Sequence, residues 1–263
     1  MGRKVQLLTA LCGALVLFSR CVADYRPYVS SACTSEMRGL NILQASDLHI
    51  RNSGDAEWLR QKLSFFIKQY QPNRVVLTGD LTADGSQEQW NLLQNALKEW
   101  EHVRYILGNH DMPLKEQDGE LRGTTTYEDL GDLRLIYLDS AWRGPFAGSY
   151  TSVPEAELKQ LDAALNTHRR ILLFAHHPIA KGSPHFVLRN AAQIRGMFSG
   201  KQVIGVFTGH FHGAYQALED NIFYGGVMPL SNHQRNHTWS QRKGIRLIEV
   251  ANSCLRSSHL LLD

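Results

Sequence analysis

Residues 75–80 read Val-Val-Leu-Thr-Gly-Asp, and this stretch decides the architecture. A short β-branched, apolar run ends abruptly at a glycine and a carboxylate, so a buried strand delivers Asp80 to its carboxyl end. The same phase recurs four times. Leu40 to Leu43 precedes Asp47-Leu48-His49, and Tyr105 to Leu107 precedes Gly108-Asn109-His110-Asp111. Ile171 to Phe174 precedes His176-His177-Pro178, and Val203 to Phe207 precedes Gly209-His210-Phe211-His212. In open α/β sheets ligands bind beyond the carboxyl ends of strands, so five strand-end motifs can converge on one crevice.

The residues gathered this way are metal ligands by type. They comprise two carboxylates (Asp47, Asp80), one amide (Asn109) and four imidazoles (His49, His176, His210, His212), with no thiolate. Half of the chain's 12 histidines lie in the five segments. Imidazole mixed with oxygen donors argues against a soft site and against a purely calcium site, leaving Mn, Fe or Zn. Two such ions about 3.5–4 Å apart stabilise the attacking and leaving oxygens of an in-line displacement at phosphorus. The expected cofactors are therefore two divalent metal ions, and the expected chemistry is phosphoester hydrolysis.

Taken in order, Asp-x-His, Gly-Asp, Gly-Asn-His-Asp, His-His-Pro and Gly-His-x-His resemble the calcineurin-like metallophosphoesterase superfamily. The segments GDLTADGSQEQW and GGVMPLSNHQ, with the stretch from Gly148-Ser149-Tyr150 to Leu165, are most similar to its cyclic nucleotide phosphodiesterase-like branch. The resemblance spans roughly residues 40 to 235 and implies an α/β fold, a two-sheet β-sandwich flanked by helices. It implies that Asp47, His49 and His212 hold one ion, that Asn109, His176 and His210 hold the other, and that Asp80 bridges them. His110 would protonate the leaving group or orient the phosphate, with Asp111 supporting it. His177 is left between a hydrogen-bonding role beside the metal and a structural one. Ala83 stands where purple acid phosphatases carry tyrosine, and GNHD replaces the GNHE of the Ser/Thr protein phosphatases, so neither branch fits.

The expected activity is hydrolysis of a small phosphodiester of cyclic nucleotide or glycerophosphodiester type. A phosphomonoesterase or nucleotidase is the alternative within hydrolases, and a non-catalytic scaffold on the same fold the alternative outside them. Arg51 and Arg143 are candidate phosphate contacts, His233 is a candidate for the pocket wall, and the segment from Ala141 to Ser152 would shape specificity.

The amino terminus reads differently. Arg3 and Lys4 precede an apolar run from Val5 to Phe18, and small residues at Cys21 to Ala23 suit cleavage. The expectation is a signal peptide over 1–23, a single metallophosphoesterase domain over 24–263 and export, with an uncleaved anchor left open. The run is shorter than the roughly 20 residues of a spanning helix, so no stable membrane span is expected. The formal charge of +3 resides in Arg3, Lys4 and Arg20, which leaves the remainder neutral. A neutral surface gives no general attraction to nucleic acid, so the expected partner is a small phosphoester substrate. Cleavage would leave Cys33 and Cys254, either disulfide-bonded or free. Asn236-His237-Thr238 is a glycosylation acceptor pattern.

Overall fold

The computed structural model describes residues 26–30, 33, 39–117, 124–142, 151–183, 185–234, 241–252 and 254–262. The signal segment, Arg143 and most of its loop, and the glycosylation pattern lie outside the described residues.

Two six-stranded sheets form the body. The first runs in the order β1 (Tyr28–Val29), β12 (Cys254–Leu262), β11 (Lys243–Ala251), β2 (Leu40–Ala45), β3 (Arg74–Thr78), β4 (Val103–Ile106). The second runs β5 (Thr126–Leu130), β6 (Leu133–Leu138), β7 (Arg170–Ala175), β8 (Val203–Thr208), β10 (Ile222–Gly226), β9 (Tyr215–Glu219). Helices α1 (Ser53–Tyr70) and α2 (Gln87–Leu97) cover one sheet, and α4 (Glu155–Leu165) and α5 (Ala191–Met197) cover the other. A 3₁₀ turn over Asn109–Asp111 leads into the short α3 (Met112–Gln117).

The apolar runs are continuous because both faces of each central strand are buried. Along β7, Leu172 and Phe174 point into the layer between the sheets, where they meet Val76, Ile106, Phe207 and Ile248. Ile171, Leu173 and Ala175 point the other way, onto Leu158, Leu161 and Ile194 of the helices. β2 behaves likewise, with Ile42 between the sheets and Leu43 under α1. A sandwich with helices on both outer faces follows from this alternation.

Parallel pairing lines up the strand ends. β2, β3 and β4 pair in parallel so that Ala45 meets Leu77 and Thr78 meets Ile106. β6, β7 and β8 pair in parallel so that Leu138, Ala175 and Thr208 finish side by side. The two rows are stitched together by Gln44, whose Nε2 donates to Thr78 Oγ1 at 3.0 Å and to the Thr208 carbonyl at 3.2 Å.

The helix starts are locally encoded. Asn52 caps α1 by accepting from the Asp55 amide at 3.1 Å, and Ser86 caps α2 by accepting from the Gln89 amide at 3.5 Å. β5 and β6 lie outside the strands that lead into the five motifs. They form a hairpin whose turn is Gly131-Asp132, with Leu130 paired to Leu133. Apart from the β5–β6 hairpin, helices and strands alternate from β2 to β8, and the described residues beyond Thr208 form strands only. Cys33 and Cys254 form a disulfide, their Cα atoms 4.5 Å apart, tying the segment beside β1 to the start of β12. Among the described residues no helix is long and apolar enough to cross a membrane.

Candidate metal centre

Asp47 and His49 follow β2, Asp80 follows β3, Asn109 follows β4, His176 follows β7, and His210 and His212 follow β8. Five of these seven sit in the left-handed region of backbone space: Asp47 (φ 55°), His49 (48°), Asp80 (49°), His210 (63°) and His212 (51°). They make up half of the non-glycine residues with positive φ among the described residues. That conformation costs of order 1–3 kcal/mol for an ordinary residue and persists only where the surroundings enforce it. Here the enforcement comes from backbone bonds: Asp47 N–H to the Gly79 carbonyl (3.0 Å), His49 N–H to the Asp80 carbonyl (2.9 Å) and Gly209 N–H to the His176 carbonyl (3.0 Å). The His210 amide donates to both oxygens of Asp47, at 3.1 and 3.2 Å.

Two glycines are required by the crowding. Gly79 has φ +89°, and a Cβ there would run into the His176 ring. A Cβ on Gly108 would occupy the space of the Asp80 backbone and carboxylate. These are the glycines of Gly-Asp and Gly-Asn-His-Asp, so the motif spelling records close packing around Asp80.

The donor atoms fall into two adjoining groups. Asp47, His49, Asp80 and His212 bring one ligand atom each to within 4.8 Å of one another. Within that group His49 Nε2 lies 3.3 Å from His212 Nε2, and His212 Nε2 lies 3.4 Å from Asp47 Oδ1. His176, His177 and His210 form the second group, and Asn109 Oδ1 lies 3.1 Å from His176 Nε2. Asp80 faces both: Oδ1 is 3.3 Å from His176 Nε2 and Oδ2 is 3.6 Å from His49 Nε2.

The protonation pattern fits cations. The Thr78 carbonyl, an acceptor only, lies 2.8 Å from His176 Nδ1, so that nitrogen carries the proton. His176 Nε2 is then aimed at two oxygens, those of Asp80 and Asn109. Burial pushes the His176 imidazole down, but the Asp80 and Asp47 charges and the hydrogen bonds to Asp80 and Thr78 outweigh it and raise it to about 9. A proton held so firmly between acceptors marks a place where a metal ion can substitute for it. Burial lowers His49 to about 4 despite the pull of Asp80 and Asp47, and burial together with His177 and His176 holds His210 well below its ordinary value. Both rings therefore offer bare lone pairs. Burial pushes the Asp47 and Asp80 carboxyls up, but His212 and His176 at Asp47, and His176 and His49 at Asp80, hold both below the usual carboxylate range. Bare imidazoles at His49 and His210, a replaceable proton on His176 and two ionised carboxylates form a set suited to metal ions.

His110 stands at the exposed rim. Its amide donates to Asp80 Oδ1 (2.9 Å), and its Nδ1 donates to the Ala83 carbonyl (2.8 Å), which leaves Nε2 as the exchangeable nitrogen. Its ring meets His49 edge-on at 4.6 Å. The expected support from Asp111 takes another form. Asp111 is buried and accepts from the amides of Leu81 (3.0 Å), Thr82 (2.8 Å) and Gly108 (2.9 Å) and from the Thr82 hydroxyl (2.6 Å). It ties the Gly-Asp segment to the Gly-Asn-His-Asp segment, while Ala83 orients the His110 ring. The carboxylate is consumed by backbone donors because both segments turn sharply there and leave their amides without strand partners.

Ser140 lies outside the five motifs yet belongs to the site. Its Oγ accepts from the amides of His176 and His177, each at 3.1 Å, and lies 3.2 Å from His177 Nδ1. With two N–H donors on the oxygen, its own proton goes to His177 Nδ1, so His177 carries its hydrogen on Nε2. The ring of His177, buried and 4.3 Å from that of His210, thus differs in tautomer from His176. The signal was present: Leu133 to Leu138 is an apolar run ending in Asp139-Ser140, in the same phase as the five motifs. Arg51 is held beside Asp55, with Nε to Oδ2 at 2.9 Å, and His233 Nδ1 lies 3.8 Å from the same Asp55 oxygen.

Such a cluster, set where the strands of an α/β sandwich end, belongs to a metal-dependent phosphoester hydrolase. Residues 40–214 match the calcineurin-like phosphoesterase family, and the chain belongs to that family. It is similar to a probable glycerophosphodiester phosphodiesterase of Arcobacter nitrofigilis, 28% identical over 69% of this chain and 75% of the relative. It is also similar to a probable cyclic nucleotide phosphodiesterase of Moraxella catarrhalis, 30% identical over 52% of this chain and 57% of the relative. Among solved structures, GAP50, the anchor in the inner membrane complex of Plasmodium, superposes with a TM-score of 0.59 at 15% identity, covering 84% of each chain. The protein TT1561 of Thermus thermophilus superposes at 0.52 and 15% identity, covering 79% of this chain and 94% of its own. These two likenesses are likenesses of fold.

Proposed function

We propose that the protein is a phosphodiesterase that hydrolyses a small phosphodiester, of cyclic nucleotide or glycerophosphodiester type, with two divalent ions drawn from Mn, Fe and Zn. The observation that carries this is Asp80, one oxygen of which faces His176 while the other faces His49. A carboxylate placed so would be shared by both ions. Asp47, His49 and His212 would hold one ion, and Asn109, His176 and His210 the other. When bound, the ions supply Lewis acidity toward phosphoryl oxygens and water. The chain itself contributes an exposed imidazole, His110 Nε2, placed to donate a proton to the departing alkoxide. Asp111 acts on this machinery by fixing the Gly79–Thr82 turn. The diester preference draws its support from the two bacterial relatives, both named as phosphodiesterases.

Export is part of the same proposal. It is supported by the basic and apolar leader pattern of residues 3–23 and by the Cys33–Cys254 disulfide, a bond that persists in oxidising compartments. The test of function is hydrolysis of an aryl phosphodiester with Mn²⁺, beside the matching monoester and an Asn109→Ala control. Diester turnover lost in the variant is expected; turnover of the monoester alone would move the activity to a phosphatase or nucleotidase.

A further inference from the structure

Away from the metal centre, a cleft of about 750 Å³ opens between α5, the turn that follows it, and the β9–β10 hairpin. It lies at the start of β8, the opposite end of that strand from His210 and His212. Ala192, Phe198, Val203, Ile204 and Ile222 supply apolar wall. Lys181, Arg195 and Lys201 line it with positive charge against one lining carboxylate, Asp220. Glu219 is nearby, but its carboxylate is occupied by the amides of Lys181 (3.2 Å) and Gly182 (2.8 Å).

Basic residues at the end of a helix ordinarily complement its dipole. That account does not suffice here, because the terminal carbonyls are already satisfied. Those of Arg195, Gly196 and Phe198 accept from the amides of Phe198, Ser199 and Lys201. Among the described residues none of the three cations forms an ion pair with a carboxylate, and Arg195 is steadied through Nη1 by the Ile179 carbonyl. The second observation is Tyr224. It is 2% exposed and lines the cleft, yet among the described residues no hydrogen bond reaches its hydroxyl. The ring is buried while the hydroxyl keeps contact with the cleft, so a partner for it comes from there.

We propose that this cleft is a second binding site, for a small organic phosphate or phosphonate whose anionic group meets Arg195, Lys201 and the Tyr224 hydroxyl and whose apolar body lies on Phe198 and Ile222. Cations without carboxylate partners, beside a hydroxyl without a protein acceptor, select an anion that also accepts hydrogen bonds. The apolar wall selects against a bare inorganic ion. Its position gives it a connection to the catalytic segment, since the Ile179 carbonyl that holds Arg195 is three residues beyond His176.

The test is calorimetric titration of the Mn²⁺-loaded protein with phenylphosphonate, which the enzyme cannot hydrolyse, and separately with inorganic phosphate. Two equivalents of phenylphosphonate are expected, one abolished by chelating the metal and one retained. Lys201→Glu should weaken the retained equivalent about tenfold or more, and Tyr224→Phe by about 3–10-fold, with aryl phosphodiester turnover unchanged in both. Inorganic phosphate should occupy the retained site at least about tenfold more weakly. No equivalent retained after chelation, or a retained equivalent indifferent to both substitutions, would overturn the site, whereas a retained equivalent without a chelation-sensitive one would count against the metal centre alone. Equal affinity for inorganic phosphate would overturn the apolar half of the proposal.

Discussion

His176 is locked to the backbone of the neighbouring sheet: its Nδ1 donates to the Thr78 carbonyl at 2.8 Å, two residues ahead of Asp80. One hydrogen bond thereby fixes the tautomer of a ligand from β7 and its distance from a ligand at the end of β3. The two sheets are registered to each other at the atoms that do the chemistry, which is why changes to residues that touch no substrate should be felt there.

Ser140 is the first such residue. Ser140→Ala removes the acceptor for the His176 and His177 amides, both buried. Stability should fall by about 1–3 kcal/mol, and metal affinity or turnover by about 10–100-fold. Urea denaturation and a metal-dependence curve of turnover check both; a variant indistinguishable from wild type in metal affinity would remove Ser140 from the site.

His110→Ala should show a dependence on the leaving group. If His110 Nε2 donates the proton, loss of turnover should reach about 10²–10⁴-fold for an alkyl ester, whose alkoxide needs the proton, and be much smaller for a nitrophenyl ester. Equal losses on both substrates would assign His110 to phosphate binding instead.

The disulfide closes a loop of 221 residues in sequence separation. Chain entropy alone would give a stabilisation of about 5 kcal/mol as an upper figure. The Cys33→Ser and Cys254→Ser double substitution should lower Tm clearly without changing KM, since both positions are remote from the metal centre in the fold. Thermal unfolding with and without reductant should reproduce the difference in the wild type and none in the variant.

Glu128 on β5 gathers charge from the other sheet: Arg74 Nη2 at 2.7 Å and Arg104 Nε at 3.5 Å, with the Tyr137 hydroxyl donating at 2.6 Å. Burial pushes its carboxyl up, but the Arg74 and Tyr137 hydrogen bonds and the two arginine charges hold it below its ordinary value. A depressed carboxyl contributes stability that is complete above its unfolded value near pH 4.3 and is lost as pH falls through the folded value. The stability gap between wild type and Glu128→Gln, measured in urea with metals chelated, should therefore be full at pH 7 and shrink below about pH 4. A gap independent of pH would refute the linkage.

Much of this site is legible in the sequence. Each of the seven ligand positions follows an apolar run, and although such a run has no periodicity of its own, its shortness and the glycine or proline beside most of the motifs mark it as a buried strand. The fold's helices are visible through Leu59, Leu63 and Phe66, which share one buried face. What cannot be read comes from contacts distant in sequence. The Asp111 carboxylate has an obvious neighbour in His110, yet it spends its lone pairs on the amides of Leu81 and Thr82, 30 and 29 residues away. Ser140 stands at the end of an apolar run like the motif residues, but its segment carries no histidine to mark it. The cleft beside Tyr224 draws its cations from the loop after β7 and from α5 and its following turn, which no local pattern brings together.

The central claim, that Asp80 joins two metal ions into one catalytic unit, is tested most directly by titrating metal-free protein with Mn²⁺ while following aryl phosphodiester hydrolysis. Turnover should rise until two equivalents are bound, and Asp80→Asn should bind more weakly and remain inactive at saturation. Full turnover at one equivalent, or an active Asp80→Asn protein, would contradict the claim.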